Sequence, residues 1–125
     1  MQDAITYSIE HLKIQPHTDK KDLLLLLKKH DRDSYEFSFW TGMFNIAIAK
    51  ELNIDKNEHE LLFLCGLFHD IGKLGMSSYF LNYPGRYTME MFNEMKKHTT
   101  GGATILQQIN GTPSEIVETT HYHHC

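Results

Sequence analysis

Leu61-Leu62-Phe63-Leu64-Cys65-Gly66-Leu67-Phe68-His69-Asp70-Ile71-Gly72 is the stretch on which the fold turns. Its first eight residues are apolar nearly all round, which predicts a helix at the centre of a core rather than on its surface. Asn57 with Glu60 reads as its start and Gly72 as its stop. A carboxylate in the last turn of such a helix demands a partner, because an unpaired buried ion is costly.

Helical punctuation continues on both sides. Upstream, Asp33-Ser34-Tyr35-Glu36 resembles a capping box, and Phe37, Trp40, Phe44, Ala47 and Ile48 form one apolar stripe at helical spacing. Before it, Thr18 is placed to cap a helix from Asp19 to about Lys29. Ile5, Ile9 and Leu12 mark an N-terminal helix closed by Pro16, an extension over residues 1–17. Downstream, a loop from Lys73 to Tyr87 holds the turn Tyr83-Pro84-Gly85-Arg86. Thr88 caps a helix through His98, Gly101-Gly102 separates it from another ending near Gly111, and Thr112-Pro113-Ser114-Glu115 opens the last. No segment alternates with period two. The expectation is an all-α bundle of about six to seven helices, a single domain over residues 1–125.

Composition bounds the function. At 125 residues the chain is one domain long. Twelve basic against sixteen acidic residues, a formal charge of -4, argue against DNA binding. No run approaches the roughly twenty apolar residues of a membrane span, and no leader pattern opens the chain. Two cysteines cannot build a disulfide framework, so a cytoplasmic location is expected. Nine histidines are the anomaly.

Alone, His69-Asp70 reads as a histidine complementing a helix dipole and an aspartate bonded to Lys73. Two further places change that reading. His98 closes Met95-Lys96-Lys97-His98, and His123 and His124 lie two helical turns beyond Ile116 and Val117, so at least one follows the apolar side inward. Three helix ends then offer imidazoles that can converge, with Asp70 able to bridge two cations, an arrangement suited to phosphoester hydrolysis.

Leu67-Phe68-His69-Asp70-Ile71-Gly72-Lys73 resembles the signature of the HD phosphohydrolase superfamily, and its continuation resembles the HD-GYP branch. Tyr83-Pro84-Gly85-Arg86-Tyr87-Thr88 is similar to that branch's Pro-Gly-x-Leu-Thr segment, Met95-Lys96-Lys97-His98 with Gly101 or Gly102 to its Lys-x-His-x-x-Gly, and Tyr122-His123-His124 to its Tyr-His-His. His30-Asp31 through Ser38 resembles its opening. The likeness covers Leu23 to Cys125 in order.

The resemblance implies an HD-domain helical bundle and a metal-dependent phosphohydrolase or phosphodiesterase acting on cyclic di-GMP or a related nucleotide, with a metal-bound hydroxide as nucleophile. His69, Asp70, His98, His123 and His124 would be metal ligands, and Asp70 and Lys73 the catalytic groups. The cofactor would be one or two divalent ions of Mn, Fe, Ni, Zn or Mg.

The departures are specific. Phe37 stands where the family has the histidine of its first ligand helix. Asp33, one turn earlier on that face, is a substitute ligand in principle, whereas Glu36 points away. The Gly-Tyr-Pro motif and a later aspartate ligand are absent, and Cys125 stands where a glutamate follows His-His. A second reading therefore stands beside the first: a catalytically impaired HD domain acting as a signalling scaffold or nucleotide-binding module.

Other features read blandly. His30-Asp31, His11, His17, His59 and His121 are expected at the surface, Cys65 as a buried small hydrophobe, and Cys125 at a free chain end. The five leucines Leu23 to Leu27 exceed one core stripe, which suggests a homodimer or protein partner on that helix.

Overall fold

In the computed structural model, which describes residues 6–12, 14 and 18–124, Asp19 rather than Thr18 opens the first helix. Its carboxylate accepts from the Lys21 amide at 2.9 Å, satisfying one of the free N–H groups of the first turn. Helix α1 (Lys20–His30) runs almost directly into α2 (Arg32–Glu51), interrupted only where Asp31 adopts an extended backbone. The start of α2 thus lies ahead of the expected capping box. Asp31 accepts a short hydrogen bond from Ser34 Oγ, and Glu36 instead pairs with Arg32 at 3.1 Å.

After a single 3-10 turn (Lys56–Glu58), capped by Asp55, comes α3 (His59–Phe68), the apolar central helix. A second 3-10 turn (Ile71–Gly75) follows. Part of the expected loop is also helical, as the short α4 (Ser78–Leu81). One long helix, α5 (Met89–Gln107), then precedes α6 (Ser114–Tyr122). Six α-helices and no strand occur among the described residues.

The core gathers Leu23 and Leu27 of α1, Leu67 and Phe68 of α3, Ile71, Ile105, Leu106 and Ile116. Leu25 and Leu26 face outward, so the leucine run divides between core and surface. A smaller cluster of Met76, Phe80 and Met91 anchors the segment between the second 3-10 turn and α5. None of the described helices is long and apolar enough to cross a membrane.

The expected N-terminal helix is not formed where the chain is described. Glu10–Leu12 make one 3-10 turn, while Ile5 and Pro16, which bound that expectation, lie outside the described residues. This segment works as a strap. Tyr7 donates its hydroxyl to Gly72 O at 2.8 Å and its amide to Glu94 at 2.9 Å, and Ser8 N donates to Gly75 O at 2.9 Å. Burial pushes the Tyr7 phenol well above its ordinary pKa, so it stays a donor.

Two expectations are overturned by small residues. Gly101 and Gly102 do not break α5. They lie buried inside it, where a Cβ on Gly101 would strike the Tyr7 ring and one on Gly102 would meet Thr120 at 2.7 Å. On α2, the buried positions are Ser34, Ser38, Gly42 and Ala49, a stripe of small side chains. Gly42 and Gly66 let α2 and α3 cross in near backbone contact, since a Cβ on Gly66 would lie 2.7 Å from Gly42 N. The large stripe of Phe37, Trp40, Phe44 and Ile48 turns to solvent, the first three at 61%, 58% and 64% exposure.

Candidate metal centre

Asp70 sits at the junction of α3 and the second 3-10 turn, 3% exposed. Its two oxygens face different groups. Oδ1 lies 3.2 Å from His98 Nε2 and 3.3 Å from His123 Nε2. Oδ2 lies 3.2 Å from His69 Nε2 and 3.4 Å from Lys73 Nζ. Burial opposes its ionisation, yet its contacts with the His123, His69 and His98 rings and the Lys73 charge outweigh it, holding the carboxyl far below the usual range.

Each inward histidine is aimed by its own backbone. His69 Nδ1 donates to Gly66 O at 2.6 Å, His98 Nδ1 to Met95 O at 2.6 Å and His123 Nδ1 to Thr120 O at 2.9 Å. A carbonyl only accepts, so Nδ1 carries the proton and Nε2 presents its lone pair to the centre when the ring is neutral. In His69, burial disfavours the charged ring, but the hydrogen bond and charge of Asp70 prevail and its pKa is raised. Burial and the neighbouring His123 and His98 lower that of His124.

The donor set fits a cation. Nε2 of His98 and Nε2 of His123 face one another at 3.2 Å, two acceptors aimed at the same point and at one carboxylate oxygen. Asp70, His98, His123 and His124 each offer a ligand atom, all within 4.8 Å of one another. Ligands held about 2.0–2.2 Å from a first-row divalent ion stand roughly this far apart. On the Oδ2 side the set is poorer, with His69 and Lys73 alone, and the Phe37 ring lies 6.0 Å from the His69 ring.

Sequence comparison agrees with this arrangement of a His-Asp doublet and distant histidines: the pattern of the HD domain matches residues 38–125. The chain belongs to the HD domain family. It is similar to a cyclic di-GMP phosphodiesterase of Pseudomonas aeruginosa, 31% identical over 101 residues, or 81% of this chain and 24% of the relative. A cyclic di-GMP phosphodiesterase of Thermotoga maritima is 32% identical over 88 residues, 70% of this chain and 24% of the relative. A 3′3′-cGAMP-specific phosphodiesterase of Vibrio cholerae is 34% identical over 77 residues, 62% and 18% respectively. This HD domain therefore spans about a quarter or less of the length of these curated relatives. No solved structure matches it significantly.

Of the residues expected in the site, His69, Asp70, Lys73, His98 and His123 meet directly, and His124 joins from the exposed end of α6. His98 lies in the interior of α5, not at a helix end. Asp33 is exposed and outside the cluster. His30 and His59 are not solvated as expected: their Nε2 atoms bond to Met76 O and Ile54 O. His11 is exposed, and His121, packed beside Tyr122, stays out of the cluster. Cys65 is buried and accepts from Thr119 Oγ1 at 3.5 Å, and burial raises its pKa. His17 and Cys125 lie outside the described residues.

Sequence reasoning missed the groups that bring the ligands together. A Cβ on Gly72 would lie 1.8 Å from the His98 carbonyl, so the backbone beyond Asp70 rests directly on α5. Thr120 Oγ1 donates to Phe68 O at 3.4 Å, joining the end of α6 to the end of α3. Gly72 carried a signal, since it follows the doublet by two residues. Thr120 carried none.

Proposed function

We propose that this HD domain, residues 1–125 as one unit, is a metal-dependent phosphodiesterase acting on a cyclic dinucleotide such as cyclic di-GMP, or on a related nucleotide phosphoester. The observation that carries the reading is the Asp70 carboxylate, buried and shared between His98 and His123 on one oxygen and His69 and Lys73 on the other. The relatives named as cyclic-dinucleotide phosphodiesterases support the substrate class.

On this reading Asp70, His98, His123 and His124 hold one divalent ion, Mn, Fe, Ni, Zn or Mg, and His69 with Asp70 form the remnant of a second site. When bound, such an ion supplies Lewis acidity toward a phosphoryl oxygen and toward water. The chain's own groups do the rest. Asp70, its carboxyl held below the usual carboxylate range, is an anion at the meeting point of these ligands. The Lys73 ammonium, partly exposed beside Asp70 Oδ2, offsets charge that develops on the phosphate. The expectation of a cytoplasmic enzyme belongs to the same proposal.

The second reading, an impaired HD domain that binds a nucleotide or a protein partner without hydrolysing it, is favoured by one observation: the Phe37 ring occupies the flank of His69. Elemental analysis of the purified protein beside Asp70→Ala, with hydrolysis assays on cyclic di-GMP and 3′3′-cGAMP, separates the two. Metal bound through Asp70 together with hydrolysis supports the phosphodiesterase. Bound metal without hydrolysis moves the assignment to the second reading. No metal after loading with manganese and iron overturns the proposal.

A further inference from the structure

Beside the ligand cluster a cleft opens toward α5, lined by Phe92, Met95, Lys96, His98 and His124. His98 and His124 are shared with the cluster and Met95 packs against the Met76, Phe80 and Met91 cluster, but the Phe92 and Lys96 side chains serve nothing described so far. Met95 and Lys96 stand three and four residues beyond Phe92, so the three occupy one face of α5, within two turns of His98. The fold does not need Phe92 there. Met91, its neighbour, supplies the buried contact at this end of the helix, while Phe92 is 49% exposed. The Lys96 ammonium lies 4.7 Å from the centre of the Phe92 ring. Met95 is half-buried, and its carbonyl holds His98 Nδ1.

A flat aromatic face, a polarisable thioether and one mobile ammonium, opening onto a cation-binding cluster, together complement one class of molecule. Phosphate belongs at the cluster and a planar base on the ring. Phe92 to His98 covers about 9 Å of helix, a distance that the sugar of a nucleotide bridges. Lysine's flexible stem lets the ammonium leave the ring and reach acceptors on the edge of a base.

We infer that this cleft is a nucleobase subsite, in which Phe92 stacks on a base, Met95 forms the floor and Lys96 donates to the base edge, while the attached phosphate lies at the Asp70 cluster. The inference rests on the phosphodiesterase reading and names the part of the site that selects nucleotides among phosphoesters.

The test compares wild type, Phe92→Ala and Phe92→Trp, all manganese-loaded, by calorimetric binding of guanosine monophosphate and of inorganic phosphate, and by hydrolysis of cyclic di-GMP. Base stacking on an aromatic ring sets the expected size: Phe92→Ala weakens guanosine monophosphate roughly 5- to 100-fold and raises KM for cyclic di-GMP by a similar factor. Phosphate affinity and metal content stay within about twofold, and Phe92→Trp restores nucleotide binding. Unchanged nucleotide affinity in Phe92→Ala overturns the subsite. So does an equal loss for nucleotide and phosphate, which would place Phe92's effect in the cluster, and so does a wild type that binds no nucleotide. A wild type that binds the nucleotide through Phe92 yet hydrolyses nothing keeps the subsite and removes the phosphodiesterase.

Discussion

Replacing Gly72 by alanine puts one methyl group into the seam that joins Asp70 to His98. The new Cβ would start 1.8 Å from the His98 carbonyl oxygen and 2.7 Å from Gly102 N. Both neighbours are backbone, so neither can swing aside. An ordinary carbon–oxygen contact requires the turn to retreat from α5 by roughly 1.5 Å. Overpacking of this kind costs about 1–3 kcal/mol, and for a domain of this size that lowers Tm by roughly 5–15 °C. Asp70 and His98 sit on opposite sides of the seam with Oδ1 and Nε2 3.2 Å apart, so the retreat opens the chelate itself. Metal affinity is expected to fall at least about tenfold, as it does when groups supporting ligands are lost. Circular dichroism melts with and without manganese, and a manganese titration, provide the measurements. Gly85→Ala is the control, because its Cβ meets only the end of the Tyr83 side chain, at 3.2 Å. A Gly72→Ala protein that melts with wild type and binds manganese equally well would refute the seam as the device that sets the ligand spacing.

Asp70→Asn is expected to abolish metal binding. His30→Ala, which loses only the bond to Met76 O, should keep its metal and give up about 1 kcal/mol of stability in urea melts. Equal metal loss in both would mean that the wrong doublet has been assigned. Phe37→His places an imidazole beside His69 and should raise metal content from about one ion per chain toward two, read by elemental analysis. An unchanged ratio would mean that the first site lacks more than one ligand.

Stability of the metal-free chain should also depend on pH in a defined way. The Asp70 carboxyl is held below its ordinary 3.8, so its contribution is present above that value and is lost as pH falls through the folded pKa. His69 is held above its ordinary 6.5, so its contribution is complete below that value and is lost as pH rises through the folded pKa. The contribution of these two groups is therefore largest between roughly pH 4 and 6.5, and Asp70→Asn should flatten both flanks of that window. Urea melts of both proteins from acid to mildly basic pH read this directly, and a wild-type profile parallel to that of Asp70→Asn would contradict it.

The site was more legible than the packing that builds it. His69, Asp70, His98, His123 and His124 could be listed from their order along the chain and its resemblance to the HD signature, whereas each of them alone reads as an ordinary helix residue. The all-α class followed from helical periodicity and caps. Helix α2 shows where periodicity misleads. It carries two stripes, a large one at Phe37, Trp40, Phe44 and Ile48 and a small one at Ser34, Ser38, Gly42 and Ala49, and hydrophobicity alone picks the large one. Close approach to Gly66 requires the small one. Gly101-Gly102 failed for the same reason: glycine punctuates a chain when read locally but permits contact when read across helices. Tyr7 was illegible because its bonds to Gly72 and Glu94 reach residues far along the chain, and no local pattern announces them.

The Nδ1 bonds of the three inward histidines end on carbonyls three residues earlier in the chain, so the direction of each lone pair is set inside a four-residue unit. Orientation and position are therefore controlled separately. A change in how the helices meet carries each imidazole as a rigid pointer, altering the span between pointers while preserving each ring's orientation on its own segment. On the proposed metal-binding reading, substitutions at Gly72, Gly102 or Thr120 would retune the radius of the ion that fits without altering a single proposed ligand. A site of that kind would drift in its choice of metal while every residue proposed to touch the metal stays the same.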